Sequence, residues 1–286
     1  MTAPDWSSQT RGDGAYADVN GLHLYYETHG DSGPPLILLH GGLGSGEMFG
    51  PVLAALATNR RVIVPDLQGH GRTVDIERPI DVRLMAGDII ALTKHLGLER
   101  PDLVGYSLGG GTAFHAAVQA PELFRRLVIA SVYLRPDFVH DELRAMQVQI
   151  GPDAAELMKD TPMYQLYERV APRPEDFPRV LGKLGAVMSE DFDYTDDFKR
   201  LAIPTMLVAA DADQFPPKRA AEMFELLDGG LRDGGWMHEN RPKGGHALAI
   251  LPGLTHYDIF SSPLFAAVTL AFLDAPDAAA PTGGVA

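Results

Sequence analysis

The sequence predicts an α/β fold with a doubly wound, mostly parallel sheet of about eight strands and an inserted helical segment. Three observations predict it: an opening hairpin, short apolar runs without polar alternation, and helical patterns between most of those runs. Runs without alternation suit strands that are buried on both faces. Because alternating strands and helices require crossover connections, this order favours a parallel sheet with helices on both sides.

The opening hairpin is indicated by Asn20-Gly21, which lies between strand-like runs at residues 15–19 and 22–27. Both central residues of such a tight turn take positive φ, which Asn and Gly tolerate best. The buried strands that follow are predicted at residues 35–39, 61–65, 102–105, 127–130, 206–210 and 247–251. Helices are predicted at residues 48–57, 82–96, 108–119, 218–227 and 264–273.

One interval interrupts the alternation of strands and helices. Between the strands ending near residue 130 and beginning near residue 206, the pattern is helical and broken by prolines. We therefore expect a helical cap insertion at residues 134–195, within a core formed by residues 1–133 and 196–274. The tail at residues 275–286, rich in Ala, Pro and Gly, is predicted to be disordered. The glycine-rich stretch 228–245 leads into the last strand, so we expect it at the amino-terminal edge of the sheet.

Composition narrows the classes of protein to which this chain can belong. The 286 residues fit one large domain with an insertion, and the absence of cysteine excludes disulfides and thiolate catalysis. A formal charge of -14 disfavours nucleic acid and anionic membranes as partners. No cluster has convincing metal-ligand spacing, so we expect no metal and no cofactor. The polar start lacks the order of a signal peptide, which predicts a cytoplasmic protein. With nucleic acid and membranes disfavoured, the expected partner is a small-molecule substrate.

The residues Gly105-Tyr106-Ser107-Leu108-Gly109 are the most informative stretch of the chain. They join a predicted strand directly to a predicted helix. A serine on such a turn sits in strained backbone that the flanking glycines permit, and its hydroxyl points outward as a nucleophile. The same five letters can also be an ordinary turn or a helix N-cap, so the rest of the chain must decide.

Other polar groups are predicted at the same edge of the sheet, because the carboxyl ends of parallel strands lie together. Asp211 and Asp213 follow one strand, and His256 lies on the loop after the last one. An imidazole base oriented by a carboxylate is what a serine hydroxyl needs to become a nucleophile. Asp211 and Asp213 compete for the role of the acid. His246 competes with His256, but it lies at the entrance to the last strand and hence at the opposite edge.

A glycine-rich loop, Leu39-His40-Gly41-Gly42-Leu43-Gly44, follows the third strand. Such a loop can aim a backbone N–H at a developing oxyanion, and the residue after the nucleophile can supply a second donor. This nominates the N–H groups of Gly42 and Leu108. By itself the loop could equally be a tight turn.

With these motifs, residues 16–273 resemble the α/β-hydrolase family. The segment Asp66-Leu67-Gln68-Gly69-His70-Gly71-Arg72-Thr73 is similar to the family's segment after its fourth strand, and Leu251-Pro252-Gly253-Leu254-Thr255-His256 to its catalytic-histidine loop. The resemblance favours Asp213 over Asp211, implies structural roles for His40 and His70, and implies a cap. It also implies hydrolysis through an acyl-serine, although members of the family also cleave C–C bonds, transfer acyl groups, perform perhydrolysis or serve as receptors.

The resulting expectation is a serine hydrolase that cleaves a carboxylic ester or lactone. Ser107 is the expected nucleophile, His256 the base and Asp213 the acid. An aspartate-nucleophile epoxide hydrolase is disfavoured, because the residue on the strand-to-helix turn is the serine Ser107. C–C bond hydrolysis, perhydrolysis and a ligand-binding receptor remain as alternatives. Leu43, Tyr133 and Met163 are the candidate pocket residues; the Met and Tyr side chains of the insertion otherwise serve to pack it onto the core.

Overall fold

A computed structural model describes residues 12–237 and 244–276, which form one eight-stranded sheet with helices on both faces. The strands are β1 (Asp13–Val19), β2 (Leu22–His29), β3 (Pro35–Leu39), β4 (Arg61–Pro65), β5 (Asp102–Tyr106), β6 (Leu127–Ala130), β7 (Thr205–Ala212) and β8 (Ala247–Thr255). Their order in the sheet is β1-β2-β4-β3-β5-β6-β7-β8. The pairs β1·β2 and β2·β4 are antiparallel and the remaining pairs are parallel. The predicted fold class is confirmed.

The α-helices follow the predicted alternation. They are α1 (Pro51–Ala57), α2 (Val82–His95), α3 (Leu108–Gln119), α4 (Asp141–Gln147), α5 (Pro162–Val170), α6 (Phe177–Ser189), α7 (Thr195–Phe198), α8 (Pro217–Glu225) and α9 (Pro263–Leu273). None of the helices among the described residues has both the length and the apolar character needed to cross a bilayer. The predicted tail falls outside the described residues from position 277 onward.

The core has two layers because every central strand is buried on both faces. Along β3, Leu36 and Leu38 point to one layer, whereas Ile37 and Leu39 point to the other. The first layer packs against α1 and α9, and the second against α2, α3 and part of the segment between β6 and β7. This two-sided burial explains why the strand sequences lack polar alternation.

Two elements differ from their predicted bounds for local reasons. The helix predicted at residues 48–57 is a short 3-10 turn at Gly46–Phe49 followed by α1, because Gly50 adopts φ 49° and Pro51 starts a new helix. The last strand runs four residues further than predicted, to Thr255. Its pairing with β7 is shifted between Ala210 and Ala212, and this irregularity lets the strand pass Pro252 and Gly253.

The interval between β6 and β7 contains α4, α5, α6 and α7; residues 134–195, all of which the structure describes, end at the first residue of α7 and include no strand. We call residues 134–195 the inserted segment. Its side chains Phe177, Val180 and Leu181 join the same apolar layer as Leu67 of the core. Lys183 also donates hydrogen bonds to the buried Asp75 carboxylate. The inserted segment therefore packs against the chain that follows β4. Its status as a separate cap domain stays a prediction.

Candidate active site

Ser107 lies on a sharp turn between β5 and α3. Its backbone has φ 53° and ψ -119°, a strained conformation for a residue with a side chain. A Cβ on Gly105 would collide with the carbonyl of Gly109, and a Cβ on Gly109 would collide with the carbonyl of His40. Glycine is therefore required at both positions, because strand, helix and loop approach one another closely here. The turn leaves Ser107 half-buried among buried neighbours.

Asp213 and His256 form a buried pair at the carboxyl edge of β7 and β8. The Nδ1 atom of His256 lies 3.0 Å from Oδ1 of Asp213, and the two residues are only 5% and 6% exposed. An ionised carboxylate can only accept, so Nδ1 carries the proton and Nε2 presents its lone pair. This is the tautomer that a general base acting on a hydroxyl requires.

The environment of Asp213 keeps its carboxyl ionised. Burial alone would raise its pKa, but the hydrogen bond and charge of His256, together with donors from Ser131 and the Ala210 N–H, outweigh burial. The pKa of Asp213 therefore lies below its ordinary value. Since the carboxylate is charged at neutral pH, it can stabilise an imidazolium as well as orient the neutral ring.

Asp211, the competing acid, has a different function in the fold. Its carboxylate accepts hydrogen bonds from the backbone N–H groups of Gly253 and Leu254, at 2.9 and 3.2 Å. These bonds hold the irregular part of β8 that leads to His256. Asp211 therefore supports the histidine loop, whereas the contact with the His256 ring is made by Asp213.

The loop after β3 packs directly on the serine turn. A Cβ on Gly41 would lie 2.6 Å from the Tyr106 ring and 3.3 Å from Cβ of Ser107. A Cβ on Gly42 would lie 4.0 Å from Cδ2 of Leu108, so the two nominated donor residues are neighbours. Both are half-buried, as is Ser107. The loop therefore borders the serine turn, and the role of Gly42 and Leu108 as oxyanion donors stays a prediction.

His40 holds this loop in place. Its Nδ1 donates to the carbonyl of Gly41 at 2.7 Å, and its Nε2 accepts from the N–H of Leu67 at 3.0 Å. Burial and the neighbouring His70 lower the pKa of His40 to about 3. Because both ring nitrogens are occupied and the ring stays neutral, His40 links the loops after β3 and β4 and is not available as a base.

His246 lies at the opposite edge of the sheet, as the sequence predicts. Its Nδ1 accepts a hydrogen bond of 3.2 Å from the N–H of Thr205, the first residue of β7. Residues 238–243 of the glycine-rich stretch lie outside the described residues.

The three candidate pocket residues have different surroundings in the structure. Leu43 has φ 57°, is half-buried, and packs against the apolar layer that includes the inserted segment. Tyr133 packs against the same layer, with its ring 6.0 Å from that of Phe192. Met163 is a half-buried residue of α5, and its role in a pocket stays a prediction.

Two residues at the site were given no role by the sequence reasoning. Ser131, the first residue after β6, donates to Oδ2 of Asp213 at 2.6 Å. Tyr106 donates its hydroxyl to the backbone carbonyl of His256 at 2.6 Å, and the two ring centroids are 5.1 Å apart. The available signal was position: Ser131 directly follows the strand that lies between those leading to Ser107 and Asp213, and Tyr106 directly precedes the nucleophile candidate.

Comparison with known proteins agrees with this architecture. A model of the family described as the α/β-hydrolase fold matches residues 34–161. The RutD protein of Azorhizobium caulinodans, named as a carbamate hydrolase, is 31% identical over 236 residues, which cover 76% of this chain and 86% of that protein. A soluble epoxide hydrolase of Corynebacterium sp. is 41% identical over 116 residues, which cover 40% of this chain and only 39% of that protein.

Solved structures show the same fold. An esterase from Thermogutta terrifontis superposes with a TM-score of 0.68 at 22% identity, over 93% of this chain and 98% of that one. An enol-lactonase from Burkholderia xenovorans superposes with a TM-score of 0.66 at 20% identity, over 91% and 99%. The chain belongs to the α/β-hydrolase fold family. It is a hydrolase of that family, and its substrate is a separate question.

Proposed function

We propose that the protein hydrolyses a carboxylic ester or lactone through an acyl-serine intermediate on Ser107. The observation that carries the proposal is the buried Asp213–His256 pair at the same sheet edge as a strained serine turn. His256 removes the hydroxyl proton of Ser107 as the oxygen attacks the carbonyl carbon. The N–H groups of Gly42 and Leu108 stabilise the oxyanion, and His256 returns the proton to the leaving alcohol. Water, activated by His256, then releases the acid.

A serine nucleophile favours acyl chemistry over epoxide opening. Attack of Ser107 on an epoxide carbon would leave an alkyl ether, which offers water no carbonyl to attack. An acyl-serine ester has that carbonyl and can be hydrolysed by the same base and oxyanion donors. The presence of a serine at position 107 is therefore stronger support for a reaction class than the name of the epoxide hydrolase relative. Carbamate hydrolysis, the activity named for the RutD relative, is the second candidate, because a carbamate also presents a carbonyl to the serine.

The surroundings of the serine favour an uncharged, apolar acyl group. Leu43, next to the proposed donor Gly42, and Leu108, whose N–H is the second proposed donor, pack against the same apolar layer as Met158 and Tyr164 of the inserted segment. The Lys and Arg side chains of that segment bond to carboxylates or backbone carbonyls of the chain itself; they are Arg135, Arg144, Lys159, Arg169, Arg173, Arg179 and Lys183. A carboxylate on the acyl group would compete with existing partners for any of these cations.

The test is a panel of an aryl ester, an aryl carbonate and an aryl carbamate that release the same phenol. The anilide of the same acid, a styrene-type epoxide and a diketone are further substrates. We expect kcat/KM to be highest for the ester and the epoxide to be inert, with the free acid and alcohol as the products. Turnover of the carbamate above the ester would favour the second candidate. Epoxide opening, or C–C cleavage of a diketone above ester cleavage, would contradict the proposal.

A matched pair of esters tests the acyl preference. An aryl butyrate and the aryl hemiester of succinate differ mainly by a terminal carboxylate. We expect the butyrate to be favoured by at least about tenfold in kcat/KM, the scale of apolar pocket contacts. A preference for the hemiester would show that a cation does face the acyl group.

A further inference from the structure

Ser131 occupies the position between the nucleophile and acid strands. The N–H of Ser107 donates to the carbonyl of Ala130, and the N–H of Ser131 donates to the carbonyl of Val208, at 2.9 and 2.8 Å. The hydroxyl of Ser131 then reaches the Asp213 carboxylate. The dipeptide Ala130-Ser131, at the end of β6 and directly after it, is thus bonded to the backbone of the nucleophile turn, the backbone of β7 and the side chain of the acid.

The carboxylate of Asp213 is bonded on both oxygens. Oδ1 accepts from His256 Nδ1 and from the N–H of Gln214, at 3.0 and 2.8 Å. Oδ2 accepts from the Ser131 hydroxyl and from the N–H of Ala210, at 2.6 and 3.1 Å. Ser131 supplies the shorter of the two bonds on the oxygen that faces away from His256. Without it, the N–H of Ala210 would be the remaining donor to Oδ2 among the described residues, at the longer distance of 3.1 Å.

The backbone of Ser131 is strained. Its φ is 56°, in the left-handed region that a residue with a Cβ seldom occupies, and the residue is only 2% exposed. Glycine would fit this backbone with less strain. Ser131 thus keeps a side chain where glycine would be less strained, and its hydroxyl donates to the Asp213 carboxylate. This points to a hydrogen bond whose contribution offsets the backbone strain.

We propose that Ser131 is a positioning residue of the hydrolytic reaction, whose hydroxyl fixes the rotation of the Asp213 carboxylate so that Oδ1 faces His256. This inference rests on the proposed function, in which His256 activates Ser107. The hydroxyl does not touch the substrate; it acts through Asp213. Its loss would weaken the hold on Oδ2, because the Ala210 N–H bond is longer, and would remove one of the donors that lower the pKa of Asp213.

The experiment compares Ser131→Ala, Ser131→Gly and Ser131→Asn in the full chain, with an aryl ester as substrate. We expect kcat to fall by about tenfold to a hundredfold in both Ser131→Ala and Ser131→Gly, the size expected for a hydrogen bond to a charged group, with little change in KM. Ser131→Gly relieves the backbone strain and should be more stable than Ser131→Ala, which loses the same hydrogen bond but keeps a Cβ in the left-handed region. Ser131→Asn tolerates the left-handed backbone and offers an amide donor, so part of kcat should return.

The pH profile separates positioning from a general structural effect. Among the described residues, two titratable side chains interact electrostatically with Asp213. They are His256 and Tyr106. Loss of the Ser131 donor raises the pKa of Asp213, so the low-pH limb of kcat/KM, which reports the Asp213–His256 pair as a unit, should move to higher pH. Ser189→Ala, which removes a hydroxyl bonded to the Gly185 carbonyl on α6, is the control that should leave the profile unchanged.

A double variant decides whether the hydroxyl acts through the acid. In an Asp213→Asn background, measured by the rate at which a fluorophosphonate labels Ser107, Ser131→Ala should cause no further loss. A further tenfold loss, wild-type kcat in Ser131→Gly, or an unmoved low-pH limb in Ser131→Ala would overturn the inference. Failure of the proposed function has a different signature: ester turnover that survives Ser107→Ala, whatever Ser131 does.

Discussion

The carboxyl edge of the sheet and the inserted segment are held by different kinds of contact. At the sheet edge, short directional hydrogen bonds join groups that the register of β5, β6, β7 and β8 brings together, such as the pair of Asp213 and His256. The inserted segment is held by apolar packing and by ion pairs such as that of Lys183 with Asp75. The difference leads to a proposal: the edge determines which reaction occurs, and the segment determines which substrates reach it.

If this comparison is correct, variants at the edge should change the rate by orders of magnitude with little effect on stability. Variants of the inserted segment should show the reverse: modest kinetic changes, accompanied by changes in stability or in substrate preference.

The largest effect is expected for Ser107→Ala. Removing the nucleophile should lower ester turnover by up to about 10⁶, by analogy with other serine triads, and leave the circular dichroism spectrum and melting temperature close to those of the wild type. Initial rates with an aryl ester test this. A variant that folds and keeps wild-type turnover would remove Ser107 from the mechanism.

Asp213→Asn should come next, with a loss of about 10⁴ in kcat. An amide can donate to His256 Nδ1, which would leave the ring in the wrong tautomer. Asp211→Asn is the matched control two residues away, and it should cost far less because its carboxylate bonds only to the β8 backbone. The reverse order of the two kcat values would reassign the acid.

Lys183→Met tests the inserted segment. Lys183 Nζ lies 2.7 Å from the buried Asp75 carboxylate and donates to the carbonyls of Ile76 and Arg78. Its loss should reduce the free energy of unfolding by about 1–3 kcal/mol, because Asp75 keeps Arg179 as a partner. Thermal or denaturant unfolding measures this.

The control for that variant is Lys159→Met, which removes an exposed pair with Glu156 on the same segment and should not change stability measurably. Below the melting temperature, fluorophosphonate labelling of Ser107 should proceed at nearly the wild-type rate in both. Loss of labelling in folded Lys183→Met would mean that the segment takes part in the chemistry.

The smallest effect is expected for Met163→Ala. Enlarging the space beside α5 should change the ratio of kcat/KM between short and bulky acyl esters by about tenfold. Met146→Ala is the control, because Met146 is 66% exposed on α4. An unchanged preference series in Met163→Ala would assign Met163 to packing alone.

Much of the sheet edge could be predicted from the sequence because its signals are local. The glycines around Ser107 and the Asn20-Gly21 turn mark backbone conformations that few other residues adopt. The apolar runs mark strands that are buried on both faces. Strand order and crossovers then bring the carboxyl ends together, so Asp211, Asp213 and His256 could be nominated without coordinates, and the family resemblance favoured Asp213.

What the sequence could not supply depends on long-range geometry. Ser131 and Tyr106 act through contacts across 82 and 150 residues of chain, and neither has a local pattern that distinguishes it from a core residue. The extension of β8 to Thr255 depends on a pairing irregularity with β7, which residue type alone does not specify. The placement of Met163 depends on how α5 packs. Helical periodicity identifies the apolar face of α5 but not the element against which that face packs.

The central claim is that Ser107 is a nucleophile activated by His256, and covalent labelling tests it most directly. The wild type, Ser107→Ala and His256→Ala are treated with a fluorophosphonate and analysed by intact mass and peptide mapping. We predict one adduct per wild-type chain, located on Ser107, no adduct in Ser107→Ala, and labelling slowed by orders of magnitude in His256→Ala. A stoichiometric adduct on another residue, or undiminished labelling of Ser107 in His256→Ala, would contradict the account.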